Sequence, residues 1–218
     1  MKRSIPIDVR PELRHLKERQ IVSRWFCLLL VCLLVSSFPV EAFAQSWQWF
    51  VERQPQYTVQ TGRGGRLLLQ ASPEKLGGVL SQRTVEGDYT ATTAINQKQL
   101  GNGVAAGLAA IGDPQNAIGV SVRNGEISLW SVKDNKETVH ATVAAPQGDL
   151  LQFRLTAAKG DQLQFAWSAD GTTWTPLNGG AALSGDYLPP WDRGVRVGLT
   201  AKGPTGATAA YEWFRLVH

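Results

Sequence analysis

The sequence predicts an all-β sandwich, two antiparallel sheets packed face to face, and three observations carry that prediction. About a dozen short segments after residue 44 alternate apolar and polar residues with period two, the pattern of half-buried strands. Turn-forming pairs separate them, above all Asn124-Gly125 and Asp170-Gly171. No segment beyond the leader carries a convincing helical period. Short strands at this spacing specify a sandwich or jelly roll rather than a parallel sheet.

In chain order, residues 46–51 are aromatic and strand-like, and Tyr57-Thr58-Val59 follows Pro55. Gly62 to Gly65 turns the chain into residues 66–71, an apolar run that reads as a strand buried on both faces or nearly so. Residues 79–83 and 88–95 follow, the second rich in β-branched side chains. Residues 103–111 set helix-favouring alanines against glycines and a short span, and the latter make the segment a tightly packed central strand. Residues 118–123 and 126–132 flank Asn124-Gly125, the strongest short-range hairpin signal in the chain.

Residues 138–143, 150–157 and 162–168 continue the series, joined through Pro146-Gln147-Gly148 and Lys159-Gly160-Asp161. In the last of these, Leu163, Phe165 and Trp167 share one face. Asp170-Gly171 reverses the chain, and Trp174 and Leu177 begin the return. Residues 179–191 form a loop holding Tyr187 and Pro189-Pro190-Trp191, and residues 195–201 and 209–216 close the chain.

The leader is legible on its own terms. Residues 1–24 hold seven Lys or Arg against three acids, and residues 25–35 are an unbroken apolar run. Ala42-Phe43-Ala44 then precedes Gln45, completing the charged, apolar, small-x-small order of a secretory signal peptide cleaved between Ala44 and Gln45. The apolar run is shorter than the roughly 20 residues a spanning helix needs; the long basic region leaves an uncleaved anchor as the alternative. Export and no stable membrane insertion after cleavage are the expectation. Cys27 and Cys32 leave with the leader, so the mature chain has no disulfide or cysteine metal site. One domain is expected over residues 45–218, large enough to be held by packing alone. It carries fifteen Lys or Arg against fourteen acids, which excludes an electrostatic footprint for nucleic acid.

With these elements in place the chain resembles a known family. Trp47-Gln48-Trp49, Gly65-Arg66-Leu67-Leu68-Leu69, Leu80-Ser81-Gln82-Arg83-Thr84 and Ala106-Gly107-Leu108-Ala109 carry the likeness, with Phe165-Ala166-Trp167-Ser168-Ala169-Asp170-Gly171 and Tyr211-Glu212-Trp213-Phe214-Arg215. Their order and spacing are similar to those of the C-terminal domain attached to family-43 glycoside hydrolases of β-xylosidase type. The resemblance implies a concanavalin A-like jelly-roll β-sandwich that serves as an accessory to a hydrolase. The sequence shows no five-bladed catalytic domain upstream, so a free-standing module is the expectation here.

Catalytic constellations are missing. Retaining glycosidases need two carboxyl groups about 5–5.5 Å apart, and glucanases of this fold take them from a Glu-x-Asp-x-x-Glu strand. Glu86-Gly87-Asp88-Tyr89-Thr90-Ala91 lacks the last acid, and Asp88 reads as a turn residue. The mature histidines are His140, read as a surface strand residue, and His218, and no Gly-x-Ser-x-Gly elbow exists. A non-enzymatic protein is expected, without a required cofactor. A structural calcium ion, common in such sandwiches, would draw on Glu212 or Asp192.

Seven tryptophans remain after the leader, and sugar rings stack on such side chains while polar neighbours fix the hydroxyls. Trp47, Trp167 and Trp213 read as core, and Trp174 as cover for its hairpin. Trp130 alternates away from Ile127 and Leu129 onto a face read as solvated, while Trp191 and Tyr187 share a proline-rich loop with Asp192. Arg123 and Gln82 are further polar candidates. The expected function is binding of an oligo- or polysaccharide; the second expectation is a structural module docking on an exported protein partner.

Overall fold

The computed structural model describes residues 47, 54–61, 65–188 and 194–218. The leader, its cleavage site, Trp191 and Asp192 lie outside the described residues. The strands are β1 (Tyr57–Gln60), β2 (Arg66–Gln70), β3 (Gly78–Arg83), β4 (Tyr89–Asn96), β5 (Ala105–Asp113), β6 (Asn116–Arg123) and β7 (Glu126–Lys133). They continue with β8 (Lys136–Ala144), β9 (Leu150–Ala158), β10 (Gln162–Ser168), β11 (Thr175–Pro176), β12 (Leu183–Ser184), β13 (Arg196–Lys202) and β14 (Thr208–Val217). Two antiparallel sheets result. The larger runs β1-β2-β14-β4-β9-β10-β11, with β12 on β10, and the smaller runs β3-β13-β5-β6-β7-β8.

The local chemistry fixes the pairing. Asn124 and Gly125 both adopt positive φ, 51° and 76°, which the two-residue β6–β7 hairpin requires and which Asn and Gly reach at least cost. The β5 segment is the central strand its glycines and alanines predict, with residues buried on both faces. The β2 segment departs from expectation. Only Leu67 and Leu69 are buried, so Arg66, Leu68 and Gln70 face outward in ordinary alternation.

At the end of β10, Ser168 and Asp170 build the turn. The Asp170 carboxylate accepts the Thr172 and Thr173 N–H groups at 2.8 and 2.7 Å and the Ser168 hydroxyl at 3.0 Å. The Thr173 and Thr172 N–H groups, then the Ser168 hydroxyl, hold this carboxyl well below the usual carboxylate range. A depressed folded-state value stabilises the fold above the unfolded value near 4 and loses that contribution as pH falls. Asp170→Ala is therefore expected to lower the melting temperature at neutral pH. The gap to wild type should shrink as pH drops through and below the carboxylate range, read by thermal melts from pH 7 to pH 2.

The inner faces meet in one apolar core. Leu67, Leu69, Ile95, Phe153, Leu155 and Phe165 come from the larger sheet, and Leu80, Leu108, Val120, Ile127, Leu129 and Leu199 from the smaller. Tyr211 ties the sheets together. From β14 its hydroxyl crosses the core, accepts the Gly107 N–H of β5 at 2.8 Å and donates to the Thr200 carbonyl of β13 at 2.6 Å. Burial pushes this phenol far above its ordinary value, so it stays a donor at every workable pH.

Candidate functional site

The outer face of the smaller sheet is where chemistry gathers. Strand alternation puts Ala109, Ala117, Trp130 and Val132 there, opposite the main core, and with Leu76, Val79 and Ile111 they form a second apolar cluster. Trp130 stands directly opposite Gly119. A Cβ on Gly119 would lie 2.6 Å from Trp130 Cζ2 and 2.8 Å from Ala109 Cβ, so glycine is what lets the indole lie down on the sheet. Its Nε1–H donates to Ser121 Oγ at 3.1 Å, fixing the ring's orientation.

Beside this ring the floor is small and polar. The register aligns Thr200, Gly107, Ser121 and Ser128 across four strands. Two pairing steps from Ser121 and Ser128, and so on the same face, Arg123 and Glu126 face each other at the hairpin end. Thr200, Ser121, Ser128, Arg123 and Glu126 line a cavity of about 490 Å³ that Trp130 walls. That volume falls in the range of small-ligand sites.

The face is concave, and two contacts prove it. Lys202 Nζ meets Glu137 Oε2 at 2.9 Å although β13 and β8 are four strand positions apart. On a flat sheet four spacings amount to roughly 19 Å, more than the two side chains span together. Lys75, just before β3, donates to the Asn135 carbonyl in the β7–β8 turn, joining opposite ends of the same sheet. Twist lifts one diagonal pair of corners toward each other, and a bulge between Leu129 and Trp130 in the β7–β8 register adds to the bend.

The sequence candidates divide accordingly. Trp130 and Arg123 come together in the concave cavity. The face of Trp130 is not open as its alternation suggests, because Leu76 and the neighbouring apolar residues leave the ring only 9% exposed. Gln82 lies two residues from Leu80, on the inner face and paired opposite Val197, away from the cavity. Tyr187 lines a separate cavity of about 560 Å³ with Leu183, Ser131, Lys133 and His140. There the Lys133 ammonium sits 4.8 Å from the Tyr187 ring centre. Burial pushes the Tyr187 phenol upward, Asp186 adds to the rise, and a hydrogen bond with Ser131 opposes it. The Leu188 carbonyl lies 1.7 Å from where a Cβ on Gly112 would stand, so this loop packs directly on the smaller sheet.

His140 is exposed, as read, yet its Nε2 lies 2.8 Å from Ser131 Oγ. Such a pair becomes a nucleophile and base only with a group orienting the imidazole and donors for the oxyanion. Among the described residues no carboxylate bonds His140, and the pair by itself defines no reaction. Asp88 is a turn residue whose carboxylate accepts the Gly160 N–H at 3.2 Å. Glu212 Oε1 accepts the Asn96 amide at 2.9 Å and lies 3.9 Å from Arg66. Among the described residues no group of three His, Cys, Asp or Glu is placed to hold a metal.

One aromatic was misplaced by periodicity. Trp213 is 36% exposed on the outer face of the larger sheet, because a bulge between Tyr211 and Trp213 turns β14 over. The same face carries Trp174, half-buried under the Arg154 guanidinium at 4.3 Å. Trp47 and Trp167 keep their core reading. Trp47 is buried against Phe214, ring centres 5.2 Å apart, and Trp167 packs half-buried on the core.

Two antiparallel sheets with these inner faces define a concanavalin A-like sandwich. The chain matches the family model of the β-xylosidase C-terminal concanavalin A-like domain over residues 37–217, and it belongs to that family. No curated protein matches it. Among solved structures it is similar to the GH43 BlXynB protein from Bacillus licheniformis, at 18% identity and a TM-score of 0.59, over 70% of this chain and 32% of that one. It is similar to a bifunctional GH43-CE protein of Bacteroides eggerthii at 22% identity and 0.62, over 79% of this chain and 23% of that one. A functionally unknown protein from Saccharomyces cerevisiae aligns at 17% identity and 0.54, over 80% of this chain and 97% of that one. The chain thus spans a third or less of the first two, and these likenesses establish the fold.

Proposed function

We propose that this protein is an exported, non-catalytic carbohydrate-binding module whose site is the concave face of the smaller sheet. The observation that supports this most is the cavity's composition: an indole wall, a floor of Ser121, Ser128 and Thr200, and Arg123 and Glu126 at its mouth. Sugars offer such a site hydroxyls for the polar groups and a C–H edge for the small exposed part of the indole. The family's association with β-xylosidases makes xylo-oligosaccharides the first probes. Calorimetric titration of wild type and Ser128→Val tests the reading. Ser128 is half-buried on a strand where valine is well tolerated, so stability should hold. A methyl-bearing floor without the hydroxyl should weaken binding about tenfold, or about 1.4 kcal/mol. Unchanged affinity in Ser128→Val would remove the floor from the site.

A second reading is docking on an exported glycoside hydrolase. It is favoured by the outer face of the larger sheet, where Trp213 and Val217 are exposed beside Arg215 and the Arg154–Trp174 stack. Trp213→Asp would disrupt such a complex and leave sugar binding on the opposite sheet intact, as read by co-elution and titration.

A further inference from the structure

The concave cavity has a blind end and two straps, and from these we infer that it receives the terminus of a glycan chain rather than an internal stretch. The inference rests on the carbohydrate reading above. Along β6 and β7 the cavity opens at the Asn124-Gly125 hairpin, where a Cβ on Gly125 would meet nothing within 4 Å. Moving inward, Ser121 and Ser128 come next, then Gly119 and Trp130. Beyond Trp130 the face is filled: Leu76, Ile111, Ala117 and Val132 are all nearly or fully buried.

Two straps cross this geometry. Lys202 pairs with Ala105 in the register, beside the open end, whereas Glu137 pairs with Val132, beyond Trp130. Their 2.9 Å contact therefore runs diagonally over the trough. The Lys75 bond to the Asn135 carbonyl makes a second contact along the same diagonal. A polysaccharide lying across the face would have to pass Leu76 and both straps. A chain end entering from the hairpin meets the floor hydroxyls first and stops on the indole. The about 490 Å³ cavity suits a terminal segment rather than an extended chain.

The test uses length ladders, from one to six residues, of xylo-, arabino-, cello- and manno-oligosaccharides, titrated calorimetrically into the whole protein. The expected result is an affinity that rises to two or three residues and then stays flat. Limited endo-hydrolysis of the matching polymer, at constant mass, should raise the number of binding sites in proportion to new ends. In Glu137→Ala, with the strap to Lys202 broken, affinity should climb with length, about threefold or more between three and six residues. Affinity that climbs to six residues in wild type, with polymer bound irrespective of end count, overturns chain-end recognition and leaves the binding reading standing. Ladders that stay flat in Glu137→Ala overturn the role given to the strap. Silence in all four ladders overturns the binding reading and this inference together.

Discussion

Tyr211→Phe is expected to destabilise the protein by about 1–3 kcal/mol, and Tyr211→Ala by about 3–5 kcal/mol. The first substitution removes one oxygen and almost no volume. It leaves the Gly107 N–H and the Thr200 carbonyl, both in the smaller sheet, without the partner that β14 supplied. Unpaired buried polar groups cost their full desolvation, which is why so small a change carries so large a penalty. The alanine variant adds a cavity at one of the largest fully buried side chains in the structure. Urea unfolding reads both. A Phe variant as stable as wild type would show that the hydroxyl bonds do not couple the sheets.

Trp130→Ala should weaken sugar binding roughly thirtyfold or more, a loss of about 2 kcal/mol or more. The residue also packs in the second apolar cluster, so the variant loses stability as well. Gly119→Ala separates the two roles. Its methyl would lie 2.6 Å from the indole and 2.8 Å from the Ala109 Cβ, displacing the ring and its bond to Ser121 while leaving the Ser128 and Thr200 hydroxyls in place. Binding should fall in Gly119→Ala wherever the variant remains folded, checked by titration below its melting temperature. Full affinity in a folded Gly119→Ala protein would deny the indole its place.

Much of the fold was legible because it is written locally. Asn124-Gly125 announces its hairpin through positive φ, and Leu163, Phe165 and Trp167 announce their inner face through alternation. The resemblance to family-43 accessory domains pointed to the same sandwich. What failed was whatever depends on one extra residue or on distant strands. Tyr211 and Trp213 should share a face by period two, yet the β14 bulge sends one into the core and the other to solvent. Glu212, read as a possible calcium ligand, gave no hint that Arg66 and Asn96, far earlier in the chain, would be its partners.

The candidate site shows the same divide. Trp130 and Arg123 were visible as outward-facing polar or aromatic positions on neighbouring strands. Leu76, Lys75, Lys202 and Glu137, which turn a flat face into a walled cavity, come from segments far apart in sequence. Their roles depend on sheet curvature, which no local pattern encodes. The Gly119 opposite Trp130 was the one readable clue, since a glycine amid β-branched residues signals close approach.

A proton–nitrogen correlation spectrum of the protein, titrated with xylo-oligosaccharides and then with the other ladders, decides whether the concave face of the smaller sheet binds sugar. Concentration-dependent shifts are expected at the Trp130 indole N–H and at the amides of Ser121, Arg123 and Ser128, with the Trp213 and Trp174 indoles unmoved. Shifts confined to Trp213 and Trp174, or no shifts with any sugar, would contradict binding at that face.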